Sequence, residues 1–143
     1  MSSGVYDRFK YNLFRGLADV GGGSGAHQIY VMLLTNAHVF VAANNTYASI
    51  SQNEVAATGG YTTGGQILTG VTVTQNDGST QAVFAGSNTT WAASTITAAF
   101  AAIYDHTLIS KDLIGCFDFG GNQSSSSGNF TISWNVSGII TLS

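Results

Sequence analysis

Residues 130–136 read Phe-Thr-Ile-Ser-Trp-Asn-Val, so an apolar side chain occupies every second position. Successive side chains of a β-strand point to opposite faces, and this spacing therefore predicts a strand with one buried and one polar face. Such alternation is typical of an antiparallel sheet that packs one face on the core and leaves the other in water. The stretch indicates a mainly β protein.

Strand-like segments separated by turn residues fill the chain before this stretch as well. The apolar run Ile29–Leu34 predicts a central strand, which residues 39–41 either continue or follow. An Asn-Asp-Gly turn at residues 76–78 joins residues 71–74 to residues 81–84 and predicts a β-hairpin, because Asp-Gly tolerates positive φ. Further strands are predicted at residues 89–97, 98–104, 113–119 and 138–142. Strand after strand with short turns favours an antiparallel β-sandwich or a barrel-like single domain, and the sequence leaves that choice open.

Helical periodicity is clear at the N-terminus, where it predicts a short helix over residues 5–17 with Ser2 or Ser3 as its N-cap. Gly21-Gly-Gly-Ser-Gly25 follows and has the composition of a flexible joint. The apolar positions that share the helical spacing are Tyr6, Phe9, Leu13, Phe14 and Leu17.

The expected organisation is a helical arm at residues 1–20, a Gly-rich hinge at residues 21–26 and a β-rich domain at residues 27–143. Within that domain, residues 44–55 form either a short helical turn or an irregular loop, since capping residues abound there but the periodicity is poor.

Charged residues make up only 8% of the 143-residue chain, whereas about a quarter is typical of soluble domains. The net charge is −3 with four Lys and Arg residues, so the positive surface that nucleic-acid binding requires is missing. A neutral surface offers little repulsion between copies and favours self-association. No apolar run is long enough for a membrane helix, and the first residues lack the apolar segment of a signal peptide. We therefore expect no nucleic-acid or membrane partner.

The residue types that perform catalysis or bind metals are scattered along the chain. His27, His38 and His106 lack the spacing of metal-ligand motifs, and the single cysteine, Cys116, lies in an apolar stretch typical of a buried side chain. Asp105 precedes His106, but neighbours on a strand point to opposite faces, and no G-x-S-x-G motif supplies a nucleophile. The sequence predicts a protein that is not an enzyme and has no cofactor, metal site or catalytic residues.

Aromatic residues offer a binding surface of a different kind. Tyr47, Tyr61 and Trp91, together with Tyr104 and Trp134, could form a sugar-stacking platform or could belong to the core or to a subunit interface. Tyr47, Tyr61 and Trp91 are the candidates for an aromatic interface.

From about residue 29 onward the chain resembles a family of small virion proteins of tailed bacteriophages. The motifs that carry the resemblance are Asn53-Glu-Val, Gly59-Gly-Tyr-Thr-Thr-Gly-Gly-Gln66, Leu68-Thr-Gly-Val-Thr-Val-Thr74, Thr90-Trp91, Ile103-Tyr-Asp105, Leu113-Ile114, Phe117-Asp-Phe-Gly120, Gly128-Asn-Phe-Thr-Ile-Ser-Trp134 and Gly138-Ile-Ile-Thr-Leu142. They consist of turn glycines and alternating strand residues and so identify a lineage better than an activity. The chain departs from the family in its low charge and in residues 36–45.

The resemblance implies a capsid decoration, or cement, protein that binds the outside of the shell and stabilises it. Its partners would be the major capsid protein and further copies of itself, in a trimer or a neighbour-bridged array, and it would reach the virion surface after synthesis in the host cytoplasm. Tyr6, Phe9, Leu13 and Phe14 are the expected contacts with the capsid or a neighbouring copy, because their helix is too short to be stable alone. The alternative is a carbohydrate-binding or host-adsorption module on the tail, neck or fibre.

Overall fold

The computed structural model describes residues 3–143, which form a mainly β single domain of antiparallel sheets with one short helix near the N-terminus. The predicted fold class is confirmed. The elements of the described residues are β1 (Gly4–Val5), α1 (Asp7–Arg15), β2 (Ile29–Leu34), β3 (Gln66–Ile67), β4 (Thr72–Asn76), β5 (Gln81–Ala85), β6 (Thr89–Ser94), β7 (Thr97–Asp105), β8 (Leu113–Ser124), β9 (Gly128–Ile132) and β10 (Ile140–Leu142).

The strands are arranged in three sheets. The largest has the order β1-β8-β7-β2-β3, a second has the order β10-β5-β4, and the third pairs β6 with β9. All of these neighbours are antiparallel. The five-stranded sheet is therefore the centre of the molecule, and the two smaller sheets pack against it through shared core residues.

Both faces of the five-stranded sheet are buried, because the side chains of its central strands alternate between two apolar clusters. In β2, Ile29, Val31 and Leu33 belong to the cluster shared with the two smaller sheets. Met32 and Leu34 point the other way, into a second cluster that the segment between β2 and β3 covers. This two-sided burial explains why β2 is apolar throughout, without the alternation expected of a sheet with one wet face.

The helix begins at Asp7, after the extended N-cap residue Tyr6, and is closed by Gly16 in the left-handed conformation at φ 66°. It is two residues shorter at each end than predicted, since Tyr6 is held in an extended conformation where its N–H donates to Ile114 O at 3.0 Å. Ser3 is not the N-cap. Its Oγ accepts a hydrogen bond from the N–H of Asp118 in β8 at 2.8 Å. Ser2 lies outside the described residues.

The N-terminal segment is part of the β-domain. Strand β1 pairs with β8, and Phe9 and Val20 are buried in the first core cluster. The N–H of His27 donates to Asp19 O at 2.9 Å and closes the glycine-rich segment into a loop. Residues 21–26 thus connect two segments that are both packed on the same core.

Several strand boundaries differ from the prediction. Residues 39–41 are not a strand, and residues 44–55 contain two short 3-10 turns, Tyr47–Ser49 and Ser51–Asn53. The predicted hairpin is present as β4 and β5, but its loop has four residues, and the positive φ is at Thr80 (52°) instead of Gly78.

The stretch at residues 130–136 is a strand only in part. β9 ends at Ile132, so Trp134 is half-buried and Val136 is fully exposed. The chain leaves the ladder here because the N–H of Trp134 donates to the Asn88 side chain at 3.1 Å, in place of a partner strand. Alternation alone does not reveal where such pairing stops.

Candidate functional site

A polar cluster surrounds the half-buried carboxylate of Glu54. Tyr47 Oη donates to Oε2 at 2.5 Å, and Tyr61 Oη donates to Oε1 at 2.6 Å. The N–H of Gly64 also donates to Oε1 at 2.6 Å. Tyr61 Oη in turn accepts from the N–H of Leu33 in β2 at 3.1 Å. The carboxylate therefore joins two loop segments to the central sheet.

Glycines allow the loop at residues 59–65 to approach the sheet this closely. Gly64 and Gly65 have φ values of 91° and 78°, and a Cβ on Gly65 would lie 1.8 Å from the carbonyl oxygen of Val31. Tyr104 Oη donates to Gly64 O at 2.6 Å from the other side. The glycine-rich motif of the family resemblance is thus a structural loop that packs on β2.

The hydroxyls around Glu54 remain neutral donors. Burial, and next the hydrogen bond to Glu54, raise the pKa of Tyr47 and of Tyr61 far above the usual tyrosine value. Both carboxylate oxygens are occupied by donors of the same chain. The cluster therefore stabilises the fold by hydrogen bonds between its segments.

A second cluster pairs His27 with the buried Asp105. His27 Nδ1 lies 2.6 Å from Asp105 Oδ2, while Asp105 Oδ1 accepts from the N–H groups of Thr107 and Leu108. His106 points away and stacks on Tyr30, with 4.1 Å between ring centroids. The expectation that Asp105 and His106 lie on opposite faces is therefore met, and the histidine that Asp105 holds comes from a distant part of the chain.

The cavity beside His27 has a volume of about 420 Å³. No serine, threonine, cysteine or acidic side chain is among the residues that line it: Gly22, Gly23, Ala26, His27, Gln28, Ile29, Ile67, Leu68, Gly70 and Val71. Among residues 3–143, none that lines the cavity beside His27 could therefore act as a nucleophile for the pair of His27 and Asp105.

The single cysteine lies in the second core cluster. Cys116 Sγ is 3.7 Å from His38 Nε2, and both residues are buried. Burial raises the pKa of Cys116 to about 11 and lowers the pKa of His38. A thiol with such a raised pKa stays protonated near neutral pH, so this pair lacks the thiolate of a cysteine nucleophile.

Two kinds of element are absent from residues 3–143. Within that range, no three His, Cys, Asp or Glu side chains lie close enough together to hold a metal ion. No helix in this part of the chain has the length and apolar character needed to cross a membrane.

The four predicted contact residues of the N-terminal segment lie in different environments. Tyr6 and Phe9 are buried in the chain's own core clusters, and Leu13 is half-buried against the first of them. Phe14 is 96% exposed. Of the four, Phe14 is the side chain that the fold leaves free for a partner.

Two further apolar residues accompany Phe14 on the outer side of the helix. Tyr11 is 48% exposed and Leu17, just beyond the helix end, is 44% exposed. We call Tyr11, Phe14 and Leu17 the α1 outer face. Their spacing of three residues is visible in the sequence, but the apolar residues of the helix cover more than one side, and only the packing shows which side is buried.

Positive charge is concentrated on the same helix. Arg8, Lys10 and Arg15 are three of the four basic residues of the chain. Arg15 Nη1 donates to Tyr11 Oη at 2.9 Å, and both guanidinium groups lie within 6 Å of the Tyr11 ring centroid. The α1 outer face is therefore an aromatic patch flanked by cations.

The predicted aromatic interface residues lie mainly inside the fold. Tyr61 and Trp91 are buried, with 6.0 Å between their ring centroids, and Trp91 packs edge-on against Phe130. Tyr47 is half-buried, and its hydroxyl is bonded to Glu54. In the single chain these three rings do not form a shared exposed platform.

Comparison with known proteins gives no further assignment. No protein-family model matches the chain, and neither the curated proteins nor the solved structures contain a significant match.

Proposed function

We propose that this chain is a structural virion protein of a tailed phage that binds the outside of the capsid shell and stabilises it as a decoration protein. The motifs of the family resemblance support the proposal, because they form turns and strands of a compact β-domain. The two polar clusters add support. Glu54 is hydrogen-bonded to Tyr47 and Tyr61, and Asp105 lies within hydrogen-bond distance of His27, so each carboxylate has its partners within the same chain. Such groups stabilise a domain and are not arranged around a substrate.

The observation that carries the proposal is the α1 outer face. Phe14 is 96% exposed on the helix that carries three of the four basic residues of the chain. Burying such a side chain in a partner's pocket contributes about 1.5–3 kcal/mol. Tyrosine and arginine are enriched among the residues that dominate interface energies. The guanidinium groups of Arg8 and Arg15 lie against the ring of Tyr11, which is three residues before Phe14 on the same helix. The patch has the composition of a protein-binding anchor.

The partner is the major capsid protein, and its docking site is an apolar pocket with an acidic rim. The pocket receives Phe14, while a carboxylate at the rim faces Arg15, which is exposed. The helix need not move away from the β-domain to make this contact, because Tyr6 and Phe9 hold it in place from the inner side. Binding across two or more capsid subunits strengthens the shell.

The test compares binding of two single variants to phage capsids that lack this chain. Phe14→Ser removes the centre of the α1 outer face, and Ile109→Ser removes an equally exposed apolar side chain on the loop between β7 and β8. Neither side chain contributes to the core, so both variants should fold, which circular dichroism checks. We expect Phe14→Ser to weaken capsid binding at least tenfold, which corresponds to about 1.4 kcal/mol, and Ile109→Ser to bind as the wild type does.

Capsids that bind the wild-type chain should also withstand heating better than bare capsids. Equal binding by wild type and Phe14→Ser would remove the α1 outer face from the proposal. Failure of the wild-type chain to bind any capsid would overturn the decoration role and direct attention to the alternative, a host-adsorption module, which a glycan-binding assay addresses. Tyr61 and Trp91 give that alternative no exposed pair of rings in the single chain.

A further inference from the structure

The three-stranded sheet ends in an exposed edge. Strand β4 pairs with β5 on one side only, and all five of its residues, Thr72–Asn76, are exposed. The N–H and C=O groups of alternate residues in an edge strand point outward without a partner strand. On the N-terminal side Gly22 packs against the carbonyl oxygen of Val71, so the free part of the edge coincides with β4.

This edge lacks the features that usually prevent pairing with another chain. Its sequence, Thr-Val-Thr-Gln-Asn, contains no charge and no proline, and its pairing with β5 runs without a bulge from Thr72 to Asn76. Natural edge strands are commonly blocked by lysine, proline, a bulge or short length. β4 is five residues long and has none of these.

The other edges of the described sheets are better protected. β1 and β3 have two residues each and β10 has three, while β6 is interrupted by a bulge between Trp91 and Ser94. β9 is as long as β4, but its pairing with β6 contains that bulge, and two of its five residues are buried, whereas all of β4 is exposed. Beyond β1, β8 carries the charged Asp118 and has Gly120 and Gly121 at positive φ. β4 is therefore the edge most open to an added strand.

We propose that β4 pairs antiparallel with β4 of a second copy of this chain, with Thr74 opposite its own counterpart. In this register Val73 faces Gln75 and Thr72 faces Asn76, so no charged residue lies within the paired segment. The nearest charges, the two Asp77 carboxylates, are separated by six residues along the strands, or about 20 Å, which is more than two Debye lengths at physiological salt. The result is a continuous sheet of six strands that is symmetric about a two-fold axis.

The second copy is favoured as the occupant because the pairing is self-complementary and the chain carries little net charge to keep copies apart. Two five-residue strands bury less than the roughly 1,200 Å² typical of stable interfaces, so the association is weak and depends on concentration. The inference does not rest on the proposed capsid role.

The experiment measures self-association of the purified full chain by sedimentation equilibrium up to about millimolar concentration, the weak end of measurable affinities. Thr74→Lys and Thr74→Glu each place like charges opposite one another across the two-fold axis. Thr141→Lys is the matched control, because Thr141 pairs with Val83 from the opposite side of β5 and lies on the same exposed face as Thr74. Both positions are exposed threonines in the wild type, and circular dichroism checks the fold of each of the three variants.

We expect the wild type and Thr141→Lys to dimerise alike, and each Thr74 variant to dimerise at least about threefold more weakly, as opposed like charges in a strand pair predict. A mixture of Thr74→Lys and Thr74→Glu should recover the wild-type affinity or exceed it. A wild type that stays monomeric at all concentrations overturns the proposal. So does an equal loss in Thr74→Lys and Thr141→Lys, or a mixture that gains nothing.

Discussion

Replacement of Glu54 by leucine is the sharpest test of how the loops are held on the central sheet. Leucine has a similar volume but accepts no hydrogen bond, so Tyr61 Oη and the N–H of Gly64 lose their acceptor, together with Tyr47 Oη. Tyr61 is buried and Tyr47 is half-buried, so water replaces the lost partner more easily at Tyr47.

The expected loss follows from the donors left without a partner. Each buried donor costs about 1–3 kcal/mol. Tyr61 is buried and should cost about 2 kcal/mol, whereas Tyr47 and Gly64 are half-buried and should cost about 1 kcal/mol each. The free energy of unfolding should therefore fall by about 4 kcal/mol, a large part of the roughly 5–15 kcal/mol that stabilises a typical domain. For a chain of this size the melting temperature should fall by about 10–15 °C.

Urea unfolding and calorimetry of wild type, Glu54→Leu and Gln52→Leu measure this effect. Gln52 lies in the same turn but is exposed, and water can replace its one side-chain hydrogen bond, to Ser49 O. Its replacement should therefore change stability by less than about 0.5 kcal/mol. Two further variants separate the tyrosines: Tyr61→Phe should cost more than Tyr47→Phe, because the N–H of Leu33 also loses its acceptor. A loss below about 1 kcal/mol for Glu54→Leu, or equal costs for the two tyrosine variants, would refute the reasoning.

Two further predictions concern the same loop and the buried hydroxyls. Gly65→Ala should lower the free energy of unfolding, measured in urea, by at least about 2 kcal/mol more than Gly23→Ala does. Both positions have positive φ, but only at Gly65 does the new Cβ meet a backbone oxygen. Equal losses in the two variants would contradict this. Burial raises the pKa of Tyr6, Tyr47, Tyr61 and Tyr104, so their folded state holds protons that the unfolded state releases. The stability that these groups contribute is complete below about pH 10 and is lost as the pH rises further. Tyrosinate absorbance should therefore increase together with unfolding. Full ionisation of the four tyrosines in a chain that stays folded would contradict this prediction.

Much of the fold could be predicted because its signals are local. The run at Ile29–Leu34 is a strand with the predicted limits, and the hairpin of β4 and β5 lies where the turn residues indicated. Boundaries failed where a long-range contact decides them, as at Trp134, where the side chain of Asn88 takes the N–H that a strand would have used.

The candidate sites were less predictable, because no spacing motif relates the residues that they bring together. His27 meets Asp105 across 78 positions, and no spacing motif relates the two. Glu54 belonged to the motif Asn53-Glu-Val, and its two tyrosines lie seven positions before and after it in the same connection between β2 and β3. That connection has no regular period, so its sequence does not show that the three side chains meet.

The sequence by itself determined the class of the protein: a β-rich single domain with low charge, one N-terminal helix and a single cysteine in an apolar stretch. These properties follow from composition and from side-chain period, which neighbouring residues define. Only the tertiary structure decided that Tyr6 and Phe9 face inward while Phe14 faces solvent, and that β4 lies at an open edge. A helix with apolar residues on several sides has the same local pattern whichever side is buried, and a strand has the same pattern at the edge of a sheet as in its middle. The packing of distant segments decides between these arrangements.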